Sequence, residues 1–394
     1  LGIILYFSSD FLAQRYFKDP SSLTIMYILI LYVFLSILFI TIKEIFLGLQ
    51  ETTLFSSVEL VKNLLLLLLI MIFAKGGAGI FGPALAYLLV CLFLFVIYLP
   101  AAIRRFPFLR IKTAEFKETS SKVVSFGIPL FATAMGSKII GYIDTLILTY
   151  FRTPFEVGVY NAILPTALTI LHLGTAVATP LFPLASELWS RNQKEKLAQG
   201  MELIHRYIFT AVIPLVAIPF VFAGPILTAL FREEFSSGIV PFQILMAGGF
   251  FSTLGVINIK VLSGIGKPKI VTGIIFLSAA ANFILNILFI PSLGMVGAAV
   301  ATTISYFFIF LLSTYKINTH TGMVIPWKIW LRLAMPAAML FALLYGVHLF
   351  VADIALAFAG IAASMAIYFV GLLLLRIIDI KELKYNYQMI KDKK

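Results

Sequence analysis

The sequence is poor in charged residues and in cysteine, and each shortage excludes a class of protein. Only 12% of its 394 residues are charged and 61% are hydrophobic, whereas a soluble domain is about a quarter charged. The single cysteine, Cys91, excludes a disulfide framework and a cysteine-rich metal site. The four histidines are scattered, and the sequence has no Walker A, HExxH or GxSxG motif. We therefore predict no cofactor, no metal site, no catalytic residues and no enzymatic activity.

Long apolar runs dominate what is present. Runs of about 20 residues match the thickness of a bilayer core, and the alternation typical of strands is absent. The predicted fold class is an all-α polytopic membrane protein. Residues 1–7 are interpreted as the remnant of a span. Eleven complete spans are predicted near residues 23–42, 58–74, 79–102, 123–151, 158–185, 204–231, 238–262, 270–290, 293–315, 329–351 and 353–375.

The positive charges predict an orientation. Of the 30 lysines and arginines, 24 lie in one set of alternate loops, five lie in the other set, and Lys138 lies within a span. Cytoplasmic loops carry the excess of positive charge. The bias predicts a cytoplasmic C-terminus and a multi-pass protein of the plasma membrane. The net charge of +12 therefore reports loops in contact with the cytoplasm, and no nucleic-acid partner is expected.

An internal repeat organises the spans. The string GIFGPALA at 79–86 matches GMVGAAVA at 294–301 at an offset of 215 residues. Because this offset covers six spans, the repeat predicts two parallel six-helix lobes. About 90 residues of the first lobe would then precede Leu1, so a truncated N-terminal lobe is expected. The predicted organisation is an N-terminal lobe at 1–103, a basic cytoplasmic linker at 104–122, a C-terminal lobe at 123–315, two extra helices within 316–376 and a cytoplasmic tail at 377–394.

One predicted span carries two ionisable residues at membrane depth. Lys138 and Asp144 lie within 123–151, and a charge at this depth is a candidate functional site. Tyr142 follows Lys138 at helical spacing and shares its face. Lys138 and Asp144 are six residues apart, so each is expected to find a partner elsewhere or to face a wet cavity. The alternative is that Lys138 only snorkels or pairs for stability.

Further polar residues could line the same cavity. Asn161 and His172 lie on a polar stripe of the next span, and Asn258 lies on a later one. The alternative, which we favour for His172, is that these side chains hold helices together through hydrogen bonds. Asn282 and Asn286 could line the cavity too, and for them and for Asn258 the helix-joining role is the more common one.

The strings YIDTLILTYF at 142–151, EVGVYNA at 156–162 and NFILNILFIPSLGMVGAAVAT at 282–302 resemble those of the polysaccharide (O-antigen-type) flippases. These proteins belong to the multidrug/oligosaccharidyl-lipid/polysaccharide exporter superfamily. Asp144, Gly158 and Tyr160 match the family motif by position. The resemblance implies fourteen helices around a cationic cavity and movement of an isoprenoid-pyrophosphate-linked oligosaccharide across the membrane.

We therefore predict a flippase that works by alternating access in cell-surface polysaccharide biosynthesis. Lys138 is predicted to contact the pyrophosphate, Tyr142 to hydrogen-bond a sugar or phosphate, and Asp144 to bind a coupling ion. The expected partners are a lipid-linked oligosaccharide, membrane lipids and polysaccharide-assembly enzymes, with a monomeric chain. The alternatives are a cation-coupled multidrug exporter, a membrane-embedded polysaccharide polymerase or glycosyltransferase, and a passive scaffold.

Overall fold

The computed structural model describes residues 2–17, 19, 21–48, 51–105, 118–121, 124, 138, 141–351 and 353–378. These residues form helices and turns, without a strand among them. They include ten helical segments long and apolar enough to cross a membrane. The predicted all-α polytopic fold class is confirmed. Most of the predicted span 123–151, of the linker 104–122 and of the tail 377–394 lies outside the described residues.

The chain divides into two compact units, Leu1–Ser125 and Phe126–Lys394. The relation of the two predicted lobes and the predicted domain limits stay predictions. Each unit has its own hydrophobic core.

The first unit contains three long helices. Helix α1 covers Gly2–Phe11 and continues into a π-helical turn at Leu12–Tyr16, and α2 (Ser22–Gly48), α3 (Thr52–Lys75) and α4 (Phe81–Arg105) follow. Helices α2 and α4 pack along each other, with α3 beside both. Aromatic and branched residues of these helices form the core, among them Phe39, Phe46, Val58, Val90 and Leu94. Helix α3 buries little of its surface within the described residues.

The second unit begins with α5, whose described helical residues are 141–151. The later helices are α6 (Pro154–Ala167), α7 (Leu171–Ser190), α8 (Lys194–Val221), α9 (Ala223–Phe231), α10 (Ile239–Gly264), α11 (Pro268–Leu293), α12 (Met295–Thr321), α13 (Trp327–Phe350) and α14 (Ile354–Leu374). Helix α10 is central and packs against α7, α12, α8 and α6. The last two helices pair with each other, and α13 packs against α8.

Local sequence explains where these helices begin and end. The Thr153 side chain accepts the backbone N–H of Glu156 at 3.3 Å, so it caps α6 ahead of Pro154. The helix after Pro154 contains Pro165 and gives way to a 3₁₀ turn at Leu168–Ile170, three residues further on. The predicted span 158–185 is therefore two helices joined at this turn.

One predicted span has different limits in the structure. Residues 204–231 were expected to be continuous, but α8 begins ten residues earlier, at Lys194, and ends at Val221. Phe222 leaves helical geometry with φ −95° and ψ 25°, and α9 resumes at Ala223. The physical reason is the pair Pro214 and Pro219, which lie inside α8 and weaken its last turns.

The glycines that the predicted repeat pairs both have a positive φ angle. Gly79 and Gly294 precede α4 and α12, and their φ angles are +55° and +58°. Side chains other than glycine rarely tolerate this region. Each glycine therefore allows the sharp turn that starts the next helix.

Candidate functional site

A cavity of about 700 Å³ opens on the second unit beside α5 and α6. Three of the predicted site residues line it, namely Lys138, Tyr142 and Asn161. The remaining lining residues are Gly141, Thr145, Leu164, Pro165 and Leu168. Helical spacing explains the grouping, because residues three and four apart share one face of a helix.

Lys138 is the charged residue of this lining. Its Nζ lies 5.5 Å from the centre of the Tyr142 ring, within the range of a cation–π contact. Tyr142 is 58% exposed, so the ring and the ammonium group are both accessible to a ligand. The ring contact of Lys138 is thus with Tyr142.

Two polar side chains of the lining are joined by a hydrogen bond. Thr145 donates a hydrogen bond from Oγ1 to Oδ1 of Asn161 at 2.7 Å. This contact joins α5 to α6 and leaves the amide N–H groups of Asn161 free to donate. The cavity thus combines a cation, hydrogen-bond donors and an apolar wall of Leu164, Pro165 and Leu168.

The other predicted residues lie elsewhere in the second unit. His172 is exposed on α7, outside the cavity lining. Asn258 is fully buried on α10, where Oδ1 lies 2.8 Å from Nε2 of His205 and Nδ2 donates to Ser313 and Thr314 at 3.2 and 2.9 Å. Because α10 is the central helix of the core, the structure does not bring Asn258 to the cavity.

Asp144 lies on the buried side of α5 and is 1% exposed. Tyr160 donates to its Oδ2 at 2.9 Å, Asn286 donates to its Oδ1 at 2.7 Å, and the Thr302 hydroxyl also donates to Oδ2. Asn286 donates in addition to Asn282 at 3.1 Å. This cluster, the Asp144 network, joins α5, α6, α11 and α12 through uncharged donors. The predicted coupling role of Asp144 stays a prediction.

Sequence reasoning did not foresee that Thr302 and Tyr160 bind the Asp144 carboxylate. A signal was nevertheless available. The three strings that carry the family resemblance contain Asp144, Tyr160 and Thr302. In the structure these distant strings meet at one carboxylate. Among the described residues, no group of histidine, cysteine and acidic side chains is arranged to hold a metal ion.

Comparison with known proteins gives sequence matches to parts of the chain and a structural match to most of it. The family described as "Polysaccharide biosynthesis protein" matches residues 1–189. An uncharacterized membrane protein of Methanocaldococcus jannaschii is 30% identical over 332 residues, which cover 81% of this chain and 66% of that protein. The "Probable low-salt glycan biosynthesis flippase Agl15" of Haloferax volcanii is 28% identical over 197 residues, which cover 50% of this chain and 41% of that protein.

Among solved structures, a lipid II flippase in an inward closed conformation has a TM-score of 0.78 at 16% identity. The match covers 95% of this chain and 80% of that chain, and it shows a common fold. The matches to the two archaeal relatives span less than two thirds of each relative's length.

The helices and the structural match together define a polytopic α-helical membrane protein. In sequence the chain is similar to a glycan biosynthesis flippase, and in fold it is similar to a lipid II flippase.

Proposed function

We propose that the protein flips a lipid-linked oligosaccharide across the plasma membrane by alternating access, with its C-terminus in the cytoplasm. The observation that carries the proposal is the cavity of about 700 Å³ with Lys138 as its charged lining residue. Its volume falls within the usual range for ligand pockets of about 300–1,000 Å³. The names of the Haloferax relative and of the lipid II flippase support the same class of substrate.

The chemistry of the lining favours an anionic substrate. An ammonium group at membrane depth attracts the phosphate or pyrophosphate that joins a sugar to its lipid. The same charge repels the cationic drugs that a multidrug exporter would carry. The Asn161 amide and the Tyr142 hydroxyl offer hydrogen bonds to sugar hydroxyl groups. The apolar wall on α6 contacts the lipid end of the substrate.

Replacement of Lys138 tests the proposal. The purified protein is reconstituted into vesicles with a fluorescently labelled lipid-linked oligosaccharide. A reductant added outside quenches only the label in the outer leaflet. The rate at which the remaining fluorescence is lost therefore measures how fast the lipid moves between leaflets. We expect Lys138→Met to slow transport at least about tenfold, because a hydrogen bond to a charged group contributes about 1.5–3 kcal/mol. Lys138→Arg should retain most of the rate, because it keeps the charge.

The chain offers a matched control. Lys316 Nζ lies 5.5 Å from the Tyr315 ring, the same distance as in the Lys138–Tyr142 pair, but Lys316 is outside the cavity lining. Lys316→Met should therefore transport normally. A normal rate in Lys138→Met would refute the proposed site, and efflux of a cationic drug without lipid movement would favour the multidrug exporter.

In the same assay, unchanged dependence on pH and sodium in Asp144→Asn would remove the coupling role of Asp144.

A further inference from the structure

A second, smaller cavity lies within the first unit and has a different chemistry. It encloses about 190 Å³ between α2, α3 and α4. Lys43, Glu59 and Lys62 line it, together with the thiol of Cys91. At about 30 Å³ for each water molecule, the space equals roughly six waters. This is enough for a small charged group and too little for a drug-sized ligand.

The two lysines share one carboxylate. Lys43 Nζ donates to Oε1 of Glu59 at 2.8 Å, and Lys62 Nζ donates to Oε2 of the same side chain. Both oxygens of Glu59 are thus engaged, whereas each ammonium group has more N–H donors than Glu59 accepts. Glu44 lies 3.7 Å from Lys43 but is 53% exposed and is not part of the lining. The cavity wall therefore has an excess of donors and of positive charge.

The depth of Lys43 fits a lipid headgroup, whereas Lys62 lies deeper. Lys43 lies three residues before the end of the span Ser22–Phe46, and Lys62 lies nine residues after the start of the span Thr53–Lys75. At about 1.5 Å per residue, these positions are roughly 5 and 14 Å from the same side of the membrane. The spans are longer than a bilayer core of about 30 Å, so their ends reach the headgroup region.

Partial exposure keeps the cluster accessible. The side chains of Lys43, Glu59 and Lys62 are 18%, 36% and 34% exposed. Lys43 also lies 5.2 Å from the centre of the Phe55 ring, which holds its ammonium group in place. An oxygen-rich anion can therefore reach two preorganised cations.

We propose that this cavity binds the phosphate group of a membrane lipid or of a soluble phosphate compound through Lys43 and Lys62. Phosphate oxygens only accept hydrogen bonds, so they match the surplus donors of the two ammonium groups. Anionic lipids are concentrated in the cytoplasmic leaflet, the side on which the charge bias predicts this end of α2 and α3. The proposal does not depend on the transported substrate.

Cys91 provides the readout, because it is the only cysteine and it lines the cavity. The rate at which N-ethylmaleimide alkylates Cys91 is measured by mass spectrometry in three preparations of the purified protein. The first uses micelles of dodecyl maltoside, which contains no phosphate, the second adds inorganic pyrophosphate, and the third adds phosphatidylglycerol. We expect alkylation to slow at least about threefold when the cavity is occupied.

The preparations and variants separate the outcomes. Protection by phosphatidylglycerol alone identifies a lipid phosphate, and protection by pyrophosphate alone identifies a soluble one. Lys62→Gln should lose the protection and Lys62→Arg should keep it. Lys75→Gln, at the exposed end of the same helix, should also keep it. The proposal is overturned if neither preparation protects Cys91, if Lys62→Gln is still protected, or if Lys75→Gln loses protection to the same extent.

Discussion

The two units place ionisable residues in apolar helices in opposite ways. In the first unit, Lys43, Glu59 and Lys62 form a charged cluster that is 18–36% exposed. In the second unit, Asp144 is 1% exposed and contacts uncharged donors only, among the hydrogen bonds recorded for it.

Access to water explains why Glu59 pairs with lysines whereas Asp144 binds uncharged donors. A partly exposed carboxylate can pair with long, flexible lysines whose charges stay hydrated, and each pair then contributes little to stability. A buried carboxylate loses its hydrogen bonds to water, and fixed hydrogen-bond donors of the protein must replace them. Three helices supply those donors to Asp144. We conclude that the cluster of the first unit is suited to binding, whereas the Asp144 network holds helices together.

The largest expected effect tests this conclusion directly. Asp144→Ala leaves the donors of Tyr160, Asn286 and Thr302 without their acceptor. Each buried donor without a hydrogen bond lowers the free energy of unfolding. We expect a loss of about 3 kcal/mol of stability, measured from thermal unfolding in detergent. Glu59→Gln should lose only about 0.5 kcal/mol, because its ion pairs are partly exposed.

Asp144→Asn is the control, because it keeps the shape of the side chain and one acceptor oxygen. Its unfolding temperature should fall between those of the wild type and Asp144→Ala. Equal losses in Asp144→Ala and Glu59→Gln would contradict the distinction between the two units.

The paired repeat strings allow a second comparison. A Cβ added at Gly297 would lie 2.6 Å from the backbone carbonyl of Phe289, whereas one added at Gly82 would lie 3.0 Å from the Phe73 side chain. The contact at Gly297 is the closer of the two, and overpacking costs about 1–3 kcal/mol. We expect Gly297→Ala to lose about 2 kcal/mol and Gly82→Ala to lose about 1 kcal/mol in the same unfolding measurement. A larger loss for Gly82→Ala would show that the packing around the two strings is misinterpreted.

The smallest expected effect concerns the turns before these strings. Arg152 donates to the carbonyl oxygens of Ile290 and Pro291, at 3.2 and 2.9 Å from Nη2, and its guanidinium packs against Gly294. A Cβ at Gly79, the paired glycine, would meet no atom within 4 Å. Arg152→Gln should therefore destabilise the second unit by about 1 kcal/mol, since a cation near a helix C-terminus contributes this much. Arg191→Gln, whose partner Glu187 is exposed, should have almost no effect on the unfolding temperature.

Much of the fold could be predicted from the sequence, because apolar runs of membrane length have one stable conformation in lipid. Ten of the eleven complete spans correspond to helical segments of the described chain. The helix interruptions at Leu168 and Phe222 were not predicted, since prolines in membrane helices are often tolerated without a break. Their effect depends on the helices that pack around them.

The candidate site could be predicted only where helical spacing decided it. Lys138 and Tyr142 lie on one helix, and their shared face follows from their positions. Helical spacing could not decide whether Asn258 lines the cavity or is buried between helices, because its burial results from the helices that pack around α10. The partners of Asp144 lie 16, 142 and 158 residues away, and no local pattern specifies such contacts.

The Asp144 network also constrains the order of events during synthesis. Tyr160 emerges soon after Asp144, but Asn286 and Thr302 follow 142 and 158 residues later. At about 5–20 residues per second, the carboxylate waits roughly ten to thirty seconds for these donors. Until then Tyr160 is the one of these three partners that has been made, so the complete network forms only after Thr302 of α12 has emerged.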